Sequence, residues 1–190
     1  MTLTRRGLLK GILAAGLWNL LPGLAGAAPQ IKDMKGIKEL QKNWMAFLAD
    51  GIKVPTPGEP LKLPNGEWRK RLSPMAYSVL REEGTERSGT SPLDFEKRPG
   101  VFACAGCDLP LFSSAMKYDS RTGWPSFFTN IPGAVATKTD YKLVWPRTEY
   151  HCVRCGGHQG HLFDDGPRPT RQRWCNNGVA LKFIPKTGKA

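Results

Sequence analysis

Two C-x-x-C pairs constrain this chain more than any other feature. Cys104-Ala105-Gly106-Cys107 and Cys152-Val153-Arg154-Cys155 are separated by 44 residues. A C-x-x-C turn aims both sulfurs at one point, and two such turns complete a tetrahedral thiolate shell around a single zinc ion. A closed zinc site of that kind does no redox chemistry; it staples two strand-turns together. The spacing therefore predicts a fold in which residues near 104 and 155 meet, with Cys104, Cys107, Cys152 and Cys155 as metal ligands. The competing reading is two vicinal disulfides or redox-active dithiols in an oxidising compartment. His151, beside Cys152, is expected to be a bystander to a shell of four thiolates. Five cysteines in all leave Cys175 unpaired.

The rest of the chain predicts a mainly β domain. Val101–Ala103, Leu109–Phe112, Phe127–Thr129, Tyr141–Trp145, Tyr150–Val153 and Val179–Ile184 are strand-length apolar stretches. Pro132-Gly133, Asp164-Asp165-Gly166-Pro167 and Asn177-Gly178 punctuate them. With 21 Gly and 16 Pro, the composition argues for many turns and against a long helical bundle. This predicts short antiparallel strands in residues 73–190, entered through Ser73-Pro74, an N-cap and first helical position for a short helix ending near Glu83.

Residues 28–72 read as an N-terminal extension. Ile37, Leu40, Trp44, Phe47 and Leu48 recur at helical spacing between Asp33 and Asp50, a stripe suited to lying on the domain, and Gly51 is placed to end it. Four prolines between Val54 and Gly66 predict an extended linker. Residues 1–27 carry Arg5-Arg6 and Lys10, a broken apolar run too short to span a bilayer, and Ala25-Gly26-Ala27 at a cleavage-like position. This pattern resembles a bacterial twin-arginine export signal, which implies a folded protein delivered to the periplasm, without stable membrane insertion after cleavage.

The formal charge of +12 invites a nucleic-acid reading, but the charge is spread along the chain. Residues 1–27 hold three basic and no acidic groups, 28–72 nine and five, and 73–190 sixteen and eleven. No basic block interleaved with aromatics occurs in the last of these, so no nucleic-acid partner is expected.

Cys175 stands in Arg173-Trp174-Cys175-Asn176-Asn177-Gly178. A lone cysteine reads either as a small buried hydrophobe or as a reactive thiol. Arg173 would favour the thiolate, and on a strand Asn177 would share a face with Cys175. His158-Gln159-Gly160-His161 supplies two imidazoles.

From about Tyr77 to Ile184 the chain resembles the methionine sulfoxide reductase B family. The phrases that carry the resemblance are Gly84-Thr85-Glu86, Cys104 through Phe112, Gly123-Trp124-Pro125-Ser126-Phe127, Arg147-Thr148-Glu149, Cys152–Cys155, Gly160 through Pro167, and Trp174-Cys175-Asn176-Asn177. It implies a fold of two antiparallel sheets, a structural zinc ion and Cys175 as the nucleophile. It also implies Trp124 as the wall for the substrate's S-methyl group, with His158, His161 and Asn177 as the polar active-site residues. The implied substrates are proteins or peptides carrying methionine R-sulfoxide, with the free amino acid left open. The implied chemistry is thiolate attack on the sulfoxide sulfur, protonation of its oxygen by His161, and a sulfenic acid at Cys175.

The chain departs from the family pattern at several positions. Many members carry a resolving cysteine where Thr122 stands, which implies a one-cysteine cycle completed by an external, thioredoxin-like thiol reductant. Trp174, Asn176, Arg171 and Gln159 replace the commoner Tyr or Phe, Ile, Gly and Leu. Two other classes compete: a zinc-ribbon-like binding module, which leaves Cys175 and the tryptophan phrase unexplained, and a thiol-disulfide oxidoreductase using its C-x-x-C pairs, which lacks the thioredoxin-like βαβ pattern and is opposed by tightly bound zinc.

Overall fold

The computed structural model describes residues 31–141 and 145–186. The twin-arginine segment lies outside them. Three short helices lead into nine strands: α1 (Met34–Lys42), α2 (Asn65–Arg71) and α3 (Pro74–Glu82), then β1 (Gly100–Cys104), β2 (Pro110–Ser113), β3 (Lys117–Tyr118), β4 (Ser126–Phe127), β5 (Val135–Asp140), β6 (Arg147–Cys152), β7 (His158–Phe163), β8 (Arg173–Asn176) and β9 (Leu181–Pro185). They form two sheets, ordered β2-β1-β9 and β3-β4-β8-β7-β6-β5. All pairings in both are antiparallel. The mainly β expectation with short N-terminal helices holds.

A chain of aromatic rings joins the sheets. Phe112 stacks on Phe127 at 4.0 Å, Phe102 meets Phe127 edge-on at 5.1 Å, and Tyr150 bridges Phe112 to Trp174 at 6.3 and 5.0 Å. Offset and edge-to-face contacts of this kind add about 0.5–1.5 kcal/mol each beyond their burial. On β8 alternation does the sorting: Trp174 and Asn176 turn into this core, while Arg173 and Cys175 face outward. Tyr150 Oη donates to Asn176 Oδ1 at 2.7 Å, so the tyrosine's polar end is satisfied inside.

The extension is docked. Asp33 caps α1 through Gly36 N, and the expected stripe lies inward, with Ile37 buried and Leu40 and Trp44 packed on the core. The helix is shorter than the stripe: it stops at Lys42, and Trp44–Phe47 continues as a 3-10 turn. Ser73 caps α3 by accepting from Ala76 N. The proline-rich stretch is extended as expected, and Leu61 N donates to Arg154 O at 2.7 Å, tying it to the second C-x-x-C turn. Helix α2 was not expected; it exists to bury Trp68, which lies under the Arg81 guanidinium at 5.0 Å.

Two strand expectations shift. Tyr141 and Trp145 are not in a strand, and residues 142–144 lie outside the described ones. The strand here is β5, just upstream, whose Val-Ala-Thr-Lys-Thr-Asp sequence hides it because an exposed edge strand needs no apolar face. The final strand begins at Leu181, since Gly178–Ala180 form a 3-10 turn.

Candidate functional site

The four paired cysteines converge. Cys104 on β1 lies 3.6 Å from Cys155, and Cys107 lies 3.4 Å from Cys152. All four are buried, and their sulfurs lie within 4.8 Å of one another. A disulfide needs about 2.05 Å. Tetrahedral ligation at about 2.3 Å per sulfur places sulfurs about 3.8 Å apart, close to what is found. The two shortest contacts bridge the turns, so the four sulfurs form one cluster rather than two separate pairs. Gln159 Nε2 donates to Cys104 Sγ at 3.3 Å, a hydrogen bond suited to a thiolate. This gives Gln159 an orienting contact that the sequence did not reveal. The donor set, burial and spacing fit one metal ion. His151 points elsewhere, to Glu149.

The second site lies on the outward face of the larger sheet. Register places Cys175 of β8 opposite His161 of β7 on one side and Ser126 of β4 on the other. Gly160, next to His161, lets the strands close: a Cβ there would run into the Cys175 carbonyl. A pocket of about 120 Å³ opens beside the thiol, walled by Trp124, Thr85, Arg147, His161, Phe163 and Asn177 among others.

Each pocket residue is held from behind. His161 Nε2 is 2.9 Å from Asp140 Oδ2, and Arg147 Nη2 donates to the same oxygen at 2.7 Å. The Trp124 indole N–H donates to Glu86 O at 3.2 Å. Glu86 is buried, and its carboxylate accepts from Gly178 N and, at 3.0 Å, from Val179 N. The loop after Cys175 is thereby clamped to the tryptophan. Asn177 is past the end of β8; its Oδ1 accepts from Glu86 N at 2.9 Å and its Nδ2 donates to Gln159 O at 3.0 Å. The amide thus ties the Glu86 loop to β7 at the pocket wall.

His158 is not among the residues lining the pocket. It is buried behind His161, with ring centroids 5.5 Å apart, and its Nδ1 lies 2.6 Å from Glu149 Oε1. Of the expected group, Cys175, His161, Asn177 and Trp124 come together at the pocket wall, and His158 supports them from beneath.

The electrostatics favour neutral partners. Burial pushes the Cys175 thiol above its ordinary value; Arg173, Thr122 and Ser126 pull the other way and do not win. Arg173 is itself engaged, clamped by Asp165 at 2.7 and 2.8 Å and stacked on Phe163 at 4.0 Å. Burial also lowers His161, against the pull of Asp140, and takes His158 down to about 4. Beside the sulfur, Thr122 and Ser126 form a hydroxyl chain through Ser120, with O···O distances of 2.8 and 2.7 Å. Asp140, Arg147, Glu149 and Glu86 carry no sequence expectation of their own, although Arg147-Thr148-Glu149 and Gly84-Thr85-Glu86 were among the resembling phrases.

Residues 72–185 match the SelR domain family model. Among curated relatives, the chain is 46% identical over 135 residues to "Peptide methionine sulfoxide reductase B1, chloroplastic" of Arabidopsis thaliana, covering 70% of this chain and 67% of that protein. The rice protein of the same name is 46% identical over 128 residues, 67% of this chain and 60% of that one. "Peptide methionine sulfoxide reductase MsrB" of Agrobacterium fabrum is 47% identical over 122 residues, 64% of this chain and 90% of the bacterial protein.

Proposed function

This chain belongs to the methionine sulfoxide reductase B family, and on that premise we propose that it reduces the R-sulfoxide of methionine in proteins and peptides by way of Cys175. The observation that carries the reading is the register of Cys175 against His161, with the imidazole held by Asp140, at the wall of a pocket sized for a small side chain.

The protonation states support a specific route. With His161 Nε2–H donating to Asp140, Nδ1 is free to accept. His161 takes the Cys175 proton as the sulfur attacks the sulfoxide sulfur, and delivers it to the sulfoxide oxygen. In the resulting S–S adduct the hydroxyl passes from the substrate sulfur to Cys175: the substrate's S–O bond and the new S–S bond break, an S–O bond forms on Cys175, and methionine leaves with its sulfur reduced by two electrons. Cys175 remains as sulfenic acid carrying the original thiol proton. Trp124 supplies an apolar face for the S-methyl group.

Regeneration is external. One reductant thiol attacks the sulfenic acid, releasing water and forming a mixed disulfide; a second thiol resolves it to free Cys175. Thr122 beside Cys175 supports this route, as does the burial of every other cysteine sulfur in the metal cluster.

Cys104, Cys107, Cys152 and Cys155 would hold one zinc ion, which supplies a cross-link between the two turns and no redox chemistry. Residues 1–27 serve as a twin-arginine signal, residues 28–72 as an extension and residues 73–190 as the reductase domain. Their role is repair of oxidised exported proteins in the periplasm. Support for the export reading is the sequence pattern around Arg5-Arg6.

The test is stereospecific turnover. Purified, zinc-loaded full chain with dithiothreitol meets peptides carrying each sulfoxide epimer, beside Cys175→Ser. Turnover of the R epimer alone, lost in the variant, is expected. Equal turnover by Cys175→Ser would overturn the assignment of the nucleophile, and no turnover in folded protein would overturn the activity.

A further inference from the structure

A second, larger depression adjoins the sulfoxide pocket and shares Arg147 and Phe163 with it as a common wall. It lies where β6 begins and where β7 ends, bounded by Thr148, Leu162, Asp164, Thr170, Arg171 and Gln172, with a volume of about 490 Å³. A methionine side chain is accommodated by the first pocket alone, whereas the second is of the size that receives ligands of several residues' bulk, about 300–1,000 Å³.

Resting on the reductase reading, we propose that this depression is the subsite for the polypeptide flanking the methionine sulfoxide, with Arg171 and Asp164 holding its main chain. The floor is fixed: Thr170 Oγ1 donates to Phe128 O at 2.7 Å, and Gln172 Oε1 accepts from the Trp174 indole at 3.1 Å. The rim is chemically open. Arg147 is engaged by Asp140 and Arg173 by Asp165, but Arg171 and Asp164 are exposed and have no ionic partner among the described residues. Arg171 only donates and Asp164 only accepts, the complement of a peptide's carbonyl and N–H groups. Every polypeptide offers these groups, so the subsite tolerates any flanking sequence.

The backbone at Arg171 argues in the same direction. Its φ is 57°, in the left-handed region where an L side chain is strained and glycine is not. The turn is closed by Arg171 N on Pro167 O and Gly166 N on Arg171 O. Glycine would satisfy that geometry without strain, yet the chain places a long guanidinium there, and strain retained at a cleft rim is characteristic of a functional position.

The experiment compares three R-sulfoxide substrates: the free amino acid, the N-acetylated amide, and a pentapeptide with alanine flanks. For the zinc-loaded full chain, kcat/KM is expected to rise at least tenfold from capped residue to pentapeptide. Arg171→Gly and Asp164→Trp are each expected to cut that gain at least fivefold. Arg171→Gly relieves the strained φ, so a loss there is not a folding defect. Retention of the full gain in both variants would overturn the subsite. The same series titrated calorimetrically into Cys175→Ser protein reads the length dependence of Kd without chemistry. Length-dependent binding to Cys175→Ser that is weakened by the rim variants would sustain the subsite, and if the zinc-loaded chain with Cys175 intact turned over none of the three substrates, that same binding would sustain the subsite while the reductase reading fell. Binding indifferent to length would overturn the subsite alone.

Discussion

His161 and Cys175 stand directly opposite one another in the β7–β8 ladder, so imidazole and thiol leave the sheet from the same face. Asp140, on the edge strand β5, reaches the far nitrogen of the ring at 2.9 Å. The arrangement orders acid, base and sulfur without a flexible loop. His161→Asn is therefore expected to lower kcat by about 10²–10³ through loss of general acid–base transfer. Asp140→Asn, which disturbs only the ring's orientation, is expected to cost less. Single-turnover methionine release measures both; a His161→Asn rate within threefold of wild type would remove His161 from the proton path.

The pH profile follows from the same pair. His161 must be neutral to accept the thiol proton, and burial sets its pKa below the ordinary 6.5. As pH falls through that depressed value the rate falls. Cys175 must keep its proton to deliver it, and its pKa lies above the ordinary 9.0. As pH rises through that value the rate falls again. Single-turnover kcat/KM is thus expected to be flat across neutrality, with limbs below pH 6.5 and above pH 9, and His161→Asn to lack the acid limb. A thiolate mechanism would instead show the rate rising through the thiol pKa.

His158 makes stability depend on pH. Its folded value is about 4 against 6.5 in the unfolded chain, because burial penalises the cation. Between those values the unfolded state binds the extra proton, so stability is lost as pH falls from 6.5 towards 4 and levels off below. The loss is up to about 3 kcal/mol. Denaturant unfolding at pH 7 and pH 4.5 reads it, and His158→Gln is expected to flatten the difference. An unchanged slope in that variant would assign the acid loss to another group.

The difference between these two histidines marks what the sequence made legible. Four cysteines at metal spacing announced that β1 and the β6–β7 turn meet, and the apolar stretches around Phe102, Phe112 and Tyr150 announced strands because they line the core. Strand β7 was silent: His-Gln-Gly-His breaks alternation at a bulge, where Tyr150 and His151 pair with Gly160 and His158 and skip Gln159. That bulge keeps His158 and His161 on one face, yet only His161 reaches the pocket. Asp140 was invisible for a different reason. It acts across a ladder from an edge strand of polar residues, a relation set by tertiary pairing and by no local pattern. Arg173 does favour the Cys175 thiolate, as its sequence position suggested, but its engagement by Asp165 and Phe163 and the opposing burial of the thiol are tertiary relations that no local pattern carries.

Metal removal tests the cluster. Four buried sulfurs at zinc spacing bring together β1, the β6–β7 turn and the docked extension at Leu61, so the ion's binding energy is folding energy. The zinc-loaded chain is expected to bind one equivalent, and Cys107→Ser to bind less tightly and melt at least 10 °C lower. Chelation is expected to unfold the protein rather than to yield a folded, inactive form. Folded apo-protein with an unchanged melting temperature would show that the cluster does not staple the fold.

Thiol counting decides the regeneration route. Thr122 lies beside Cys175 and offers a hydroxyl where a second sulfur would allow an internal disulfide. The other four sulfurs are buried together at metal spacing. One equivalent of R-sulfoxide peptide, with no reductant present, is expected to leave four of the five thiols alkylatable after denaturation, with a sulfenic-acid-specific reagent adding at Cys175. An internal disulfide would consume Cys175 and a partner, leave three thiols and give no adduct. Addition of a monothiol should then convert the four-thiol species to a mixed disulfide at Cys175, because in a one-cysteine cycle the first sulfur to reach the sulfenic acid comes from outside.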